Sequence, residues 1–277
     1  MNDRNNCPDL QTALKTLWGA TTMPFAASVT KPFATGFFTE VTHRLEQLLA
    51  VRACGLLHGP NGVGKSLLLQ QFLQSLPEKR FKTIVLSHSS LTGSDLLRLL
   101  CLELGKTPRM RRGDNLALIR QAWQELDRLW PLLVLEEAQD LSATALEEIR
   151  LLSCERRDTQ TPFTLLLVGD NQLLPRLQLG INAPLLARLS FCLELQPWNS
   201  ADLQAYLSAR LQEVGIHSNP FDAQASELLV SSAQGLPRQL NHLAQRALAE
   251  AARQNCRVVS PNHVQSALDL MPWIVQF

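Results

Sequence analysis

Apolar and polar positions alternate in two rhythms up to about residue 197 and settle into one after it. Continuous apolar runs at 55–58, 83–87, 132–135, 164–168 and 191–195 read as short strands buried on both faces, the pattern of a parallel sheet. Between them, apolar residues recur at helical spacing over 66–76, 94–104, 114–130 and 142–154, several behind a polar residue able to cap the first turn. The alternation predicts a doubly wound α/β layout. After Pro197 the strands stop, and 200–214, 222–233, 237–254 and 261–270 are all helical by period. Ser200 and Ser260 are the expected N-caps, with Pro237 and Pro261 in first turns. The expected organisation is an aromatic-rich segment at 1–45, an α/β core at 46–197, a small helical domain at 198–270 and an apolar tail at 271–277.

Composition narrows the class. With 277 residues, 45% of them apolar, the chain can bury a sizeable core. No apolar run approaches the ~18 residues of a membrane span, and MNDRNNCPDL lacks the apolar stretch of a signal peptide. The expectation is a soluble, cytoplasmic protein with no membrane partner. A net charge of +1 excludes a uniformly basic surface, so any nucleic-acid contact must come from a few placed residues or from repeated subunits. Cys7, Cys54, Cys101, Cys154, Cys192 and Cys256 form no C-x-x-C pair, which argues against a zinc site or a disulfide framework. Those inside apolar runs read as reduced core residues.

The chemistry begins at Gly59-Pro60-Asn61-Gly62-Val63-Gly64-Lys65-Ser66, which lies between the first strand and the first helix of the core. That is the spacing of a phosphate-binding P-loop. The glycines let backbone N–H groups close around phosphate oxygens at a helix N-terminus, whose dipole favours anions. Lys65 supplies a cation for the terminal phosphates, the Ser66 hydroxyl is placed for magnesium, and Leu67 completes the expected nucleotide-binding stretch. A second signal is Leu132-Leu133-Val134-Leu135-Glu136-Glu137, an apolar strand ending in two carboxylates. Beside a P-loop, Glu136 can hold magnesium through water and Glu137 can polarise the attacking water.

With these motifs in place, the chain resembles the AAA+ ATPases, in the branch that contains the secretion ATPase ExeA and the transposition regulators of the TnsC, TniB and MuB type. Four stretches carry the resemblance: the P-loop, LLVLEEAQDL at 132–141, LLLVGDNQLL at 165–174 and GLPRQLNHLAQRAL at 235–248. It implies an AAA+ P-loop NTPase core followed by a helical lid, with ATP and magnesium as ligands. It also implies that Arg238 reaches the phosphates from the lid and that Asn171 or Asp170 is the polar sensor after the fourth strand. Arg188 is the finger it implies for a neighbouring subunit's γ-phosphate. One departure is that such proteins usually carry Asp-Glu where this chain has Glu136-Glu137. The extra methylene moves the metal-side carboxylate by about one C–C bond, ~1.5 Å, so slow hydrolysis is an expectation.

Two functions remain open at this level. ExeA-type proteins carry a transmembrane helix and a peptidoglycan-binding region after the core, and the sequence read to Phe277 shows neither. The resemblance therefore implies a transposition regulator, oligomeric on duplex DNA and partnered by a transposase. The alternative is a nucleotide-gated protein-interaction ATPase that does not bind DNA. Lys106, Arg109, Arg111 and Arg112, in LGKTPRMRRGDN between two helices, are the candidate phosphate-backbone contacts; a solvated basic loop is the competing reading. Trp18, Pro24, Phe25, Phe33, Phe37 and Phe38 either cover the adenine or pack as core, and the tail docks on its own domain, a neighbour or a transposase.

Overall fold

The computed structural model describes residues 10–25, 33, 35–87, 90–154 and 162–274. The chain folds as two compact units. One comprises Gly36–Pro60 and Lys65–Leu195; the other comprises Met1–Thr35, Asn61–Gly64 and Gln196–Phe277.

The α/β unit is organised on strands β1 (Cys54–His58), β2 (Phe81–Leu86), β3 (Trp130–Leu135), β4 (Thr164–Gly169) and β5 (Leu189–Glu194), all parallel and ordered β2–β3–β4–β1–β5. Every residue of β1 and β4 is buried, as the unbroken apolar runs require, whereas the edge strand β5 alternates in exposure. Helices α2 (Gly36–Ala50), α3 (Lys65–Ser75), α4 (Gly93–Glu103), α5 (Arg112–Glu125) and α6 (Ala143–Leu152) are joined by two short helices, α7 (Leu173–Leu177) and α8 (Ala183–Leu186). Leu133, Leu135, Leu165 and Leu167 meet Leu97, Leu100, Ile119 and Ile149 in one core. The parallel order places the C-terminal ends of β1, β4 and β3 side by side, with His58 opposite Gly169 and Leu135 opposite Leu167. The start of the phosphate loop, the polar turn and the acidic pair thus share one edge of the sheet.

Several elements differ from expectation, α1 (Leu10–Trp18), α7 and α8 being unanticipated short helices. The helix anticipated at 114–130 ends at Glu125, Asp127 takes a left-handed turn (φ 52°), and Trp130 opens β3. Pro131 disfavours helical space for Trp130, so that residue cannot extend the helix and joins β3 instead. Helix α2, unanticipated, buries Phe38, Val41, Leu45, Leu48 and Leu49 on one helical stripe. Asn199, not Ser200, caps the next helix, its side chain accepting the Asp202 N–H at 2.8 Å. Ser260 does cap as expected, in a capping box closed by His263.

The helical unit contains α1 (Leu10–Trp18), α9 (Ser200–Glu213), α10 (Ala223–Ser232), α11 (Pro237–Arg253) and α12 (Pro261–Asp269). Leu14 and Phe25 enter its core beside Leu207, Leu240 and Leu243, and Trp18 donates its indole N–H to the Arg257 carbonyl at 2.7 Å. Phe33 packs on Trp198 and Tyr206, with ring centroids 6.1 and 5.8 Å apart. These lead-in aromatics are packed as core, while Phe37 and Phe38 belong to α2. In the tail, Met271 and Ile274 dock on this same unit and Trp273 stays exposed; 275–277 lie outside the described residues. Among the described residues no helix is long and apolar enough to cross a membrane.

Candidate functional site

The P-loop folds as its glycines require. Gly62 and Gly64 adopt φ of 91° and 112°, left-handed values that side-chain-bearing residues rarely take. At Gly59 the reason is proximity: a Cβ there would lie 2.4 Å from the Leu195 carbonyl oxygen. Val63, within the loop, is fully buried. Lys65 opens α3 and is only 7% exposed. Its Nζ donates to the carbonyls of Gly59 at 2.8 Å and Pro60 at 3.1 Å, so the ammonium curls back over the loop's own first turn. A cation fixed above a cradle of backbone N–H groups at a helix start is a fit for nucleotide phosphates. Ser66 and Leu67 continue the first turn of α3.

Arg238, second residue of α11, lies against the loop tip. Its backbone N–H donates to the Gly62 carbonyl at 3.3 Å, and a Cβ on Gly62 would sit 3.0 Å from the Arg238 Cβ. Two neighbours in GLPR fix the helix start: Gly235, where a Cβ would be 2.5 Å from Pro197, and Pro237 at the first helical position. The guanidinium end belongs to an exposed side chain.

At the end of β3, Glu136 hydrogen-bonds through its N–H to the Leu86 carbonyl at 2.9 Å and is half-buried. Burial, and then the charge of Glu137, push its carboxyl above the ordinary range, against a lowering hydrogen bond from Ser87. A carboxylate poorly solvated in this way gains from an adjacent cation, so the donor set Ser66 and Glu136 fits a divalent metal in kind. Glu137 is exposed and holds φ 50°, ψ 40°, a left-handed conformation costing on the order of 1 kcal/mol or more for a non-glycine residue. Its Oε2 accepts a hydrogen bond from the Gln139 amide at 2.7 Å. Gln139 in turn accepts the Asp170 backbone N–H at 3.2 Å, bridging the acidic strand end to the turn after β4. The Arg176 guanidinium grips the carbonyls of Gln139 and Leu141.

That turn carries both sensor candidates. Asp170 accepts the Gln172 N–H at 2.8 Å and so is occupied in shaping the turn, which leaves the exposed Asn171 beside it. His58, immediately before the P-loop, is a residue that its sequence context does not single out. It is 6% exposed, its Nε2 is 3.5 Å from the Cys192 sulfur, and its Nδ1 is buried without a partner among the described residues. Desolvation pulls its pKa below the usual value, opposed by Glu194 and reinforced by Lys65. Cys54 and Cys101 are buried as expected, but Cys192 is exposed on the edge strand.

Residues 50–177 match the family model described as AAA domain. General secretion pathway protein A of Aeromonas hydrophila is 31% identical over 74% of this chain and 38% of its own length. The Mu-like prophage FluMu DNA transposition protein B of Haemophilus influenzae is 30% identical over 61% of this chain and 58% of its own. The chain belongs to the AAA+ ATPases, in the branch of these two proteins. It spans less than two thirds of either relative. The crystal structure of Cdc6p from Pyrobaculum aerophilum shares the AAA+ fold at a TM-score of 0.72 and 16% identity, over 92% of this chain and 70% of that one.

Elsewhere on this AAA+ core, Arg188 ends the α8 turn and leads into β5, half-buried, with its Nε lacking a partner among the described residues. The basic loop divides in two. Lys106 is paired with Glu125 at 2.5 Å, and Arg112 makes a two-pronged pair with Glu148 at 2.5 and 2.8 Å. Arg109 and Arg111 are exposed and enter no ion pair among the described residues; between them stands Met110, 89% exposed. The loop is held from beneath by Asn115, which is 3% exposed. Its Oδ1 accepts the Arg109 N–H at 2.6 Å and its Nδ2 donates to the Arg109 carbonyl at 3.0 Å.

Proposed function

We propose that this AAA+ protein binds and slowly hydrolyses ATP with magnesium, assembles with copies of itself on duplex DNA irrespective of sequence, and regulates a transposase. Lys65, the P-loop backbone and Arg238 hold the phosphates. Magnesium, liganded by Ser66 and through water by Glu136, would neutralise phosphate charge. Glu137 orients the attacking water, Asn171 contacts the terminal phosphate, and Arg188 serves the site of an adjacent subunit.

The observation that carries the DNA reading is the pre-shaped Arg109–Met110–Arg111 tip. Because Asn115 pairs both backbone groups of Arg109, the loop backbone at the tip is already ordered where two exposed cations stand. Such cations suit a phosphate backbone, which rewards charge without base readout. The likeness to a DNA transposition protein over 61% of the chain points the same way. A second reading is favoured by the 31% identity to a general secretion pathway protein: a nucleotide-gated ATPase that engages protein and not DNA. ATP turnover by the full chain, measured with and without duplex DNA of several sequences, separates them. Stimulation by every duplex supports the first, and turnover indifferent to DNA supports the second.

A further inference from the structure

Gln139 sits three positions beyond Glu136, outside the residues that phosphate chemistry calls for, and yet it makes polar contacts with two separate strands' ends. Its amide nitrogen donates to the Glu137 carboxylate at 2.7 Å, and its amide oxygen accepts the Asp170 N–H at 3.2 Å. The side chain is thus fixed in orientation, since only one way round satisfies a carboxylate at one end and an N–H at the other. The space it occupies is kept by Gly169, where a Cβ would fall 2.6 Å from the Gln139 oxygen. Its backbone is pinned independently by Arg176, so the side chain can be changed without releasing the turn.

We propose that Gln139 is a positioning residue for Glu137: it aims the exposed carboxylate and ties that aim to the β4 turn that bears Asn171. Glu137 occupies a left-handed backbone position with an exposed side chain, so little else among the described residues restricts its direction. Displacement of the Asp170–Asn171 turn moves the amide oxygen of Gln139 and, through the same planar group, the hydrogen bond that steers Glu137. The hydrolytic carboxylate thereby follows the state of the turn beside the P-loop strand, where Gly169 pairs with His58. This inference rests on the ATPase reading above.

The test is a double-mutant cycle on the full chain, reading kcat, the dissociation constant of ATP and the melting temperature. Gln139→Ala is expected to lower kcat by about 10-fold or more while ATP affinity stays within about 2-fold, and Gln139→Glu, which keeps size but loses the donor, to do the same. If Gln139 acts through Glu137, the Glu137→Gln/Gln139→Ala protein turns over no more slowly than Glu137→Gln alone. Losses that multiply, or a Gln139→Ala protein as fast as wild type, overturn the role given to Gln139. A wild-type protein that binds ATP without turnover overturns the ATPase reading itself, and this inference with it.

Discussion

Arg112 and Glu148 are locked together, Nε to Oε1 at 2.5 Å and the second prong at 2.8 Å, with the Glu148 side chain only 11% exposed. A cation committed in this way to a buried carboxylate ties the start of α5 to α6, and its hydrogen bond with Glu148 holds the guanidinium above its ordinary pKa. Arg112→Ala should therefore lower stability, by about 1–2 kcal/mol, because Glu148 is left buried without its partner. For a chain of this size that corresponds to a melting temperature lower by roughly 2–8 °C. DNA affinity should fall far less than in an Arg109→Ala/Arg111→Ala protein; thermal melts and binding isotherms of the two variants check this.

Lys65→Ala removes the one buried cation of the P-loop while leaving its N–H cradle. Loss of a charge-assisted contact predicts ATP binding weaker by about 10-fold to 100-fold, read by titration with a fluorescent ATP analogue. Equal affinity in variant and wild type would remove the phosphate role from Lys65.

The acidic pair should separate by function. Glu137→Gln keeps shape but cannot polarise water, so turnover falls by about 10²-fold with ATP still bound. Glu136→Gln should instead raise the magnesium concentration needed for half-maximal activity. If the two phenotypes are exchanged, so are the roles.

His58 gives a pH signature. Its folded pKa lies below the unfolded value, so the unfolded chain takes up the proton more readily and stability is lost as pH falls below about 6.5. Glu136, shifted up, acts in the opposite direction at lower pH, so the difference between wild type and His58→Asn isolates the histidine. Between pH 7.5 and 5.5 the wild type should lose melting temperature relative to that variant. Parallel curves would show that His58 is not buried as a neutral ring.

The strands are legible in the sequence because β1, β3 and β4 are buried on both faces and therefore apolar without interruption. The P-loop is legible because its geometry admits few residue types. Helix α2 escapes the pattern although its buried stripe from Phe38 to Leu49 has helical spacing, since the aromatics before it suggest an irregular lead-in. Trp130 is misplaced because the signal sits one residue later, in Pro131. At the basic loop four cations look equivalent in sequence; only packing shows that Glu125 and Glu148 take two of them. Gln139 cannot be found by composition, because its role depends on Glu137 and Asp170 being brought together by adjacent parallel strands.

If this AAA+ protein holds DNA through the Arg109–Arg111 tip in an ATP-dependent way, loss of those two cations must change its salt response. The direct measurement is fluorescence anisotropy of labelled duplexes of unrelated sequence with ATP or ADP, repeated from low to moderate salt for wild type and Arg109→Ala/Arg111→Ala. The expected result is ATP-dependent binding of all duplexes, with a log–log salt slope that becomes shallower by about 2 per subunit when the two cations are removed. Wild-type protein that binds no duplex at low salt with ATP present would contradict it.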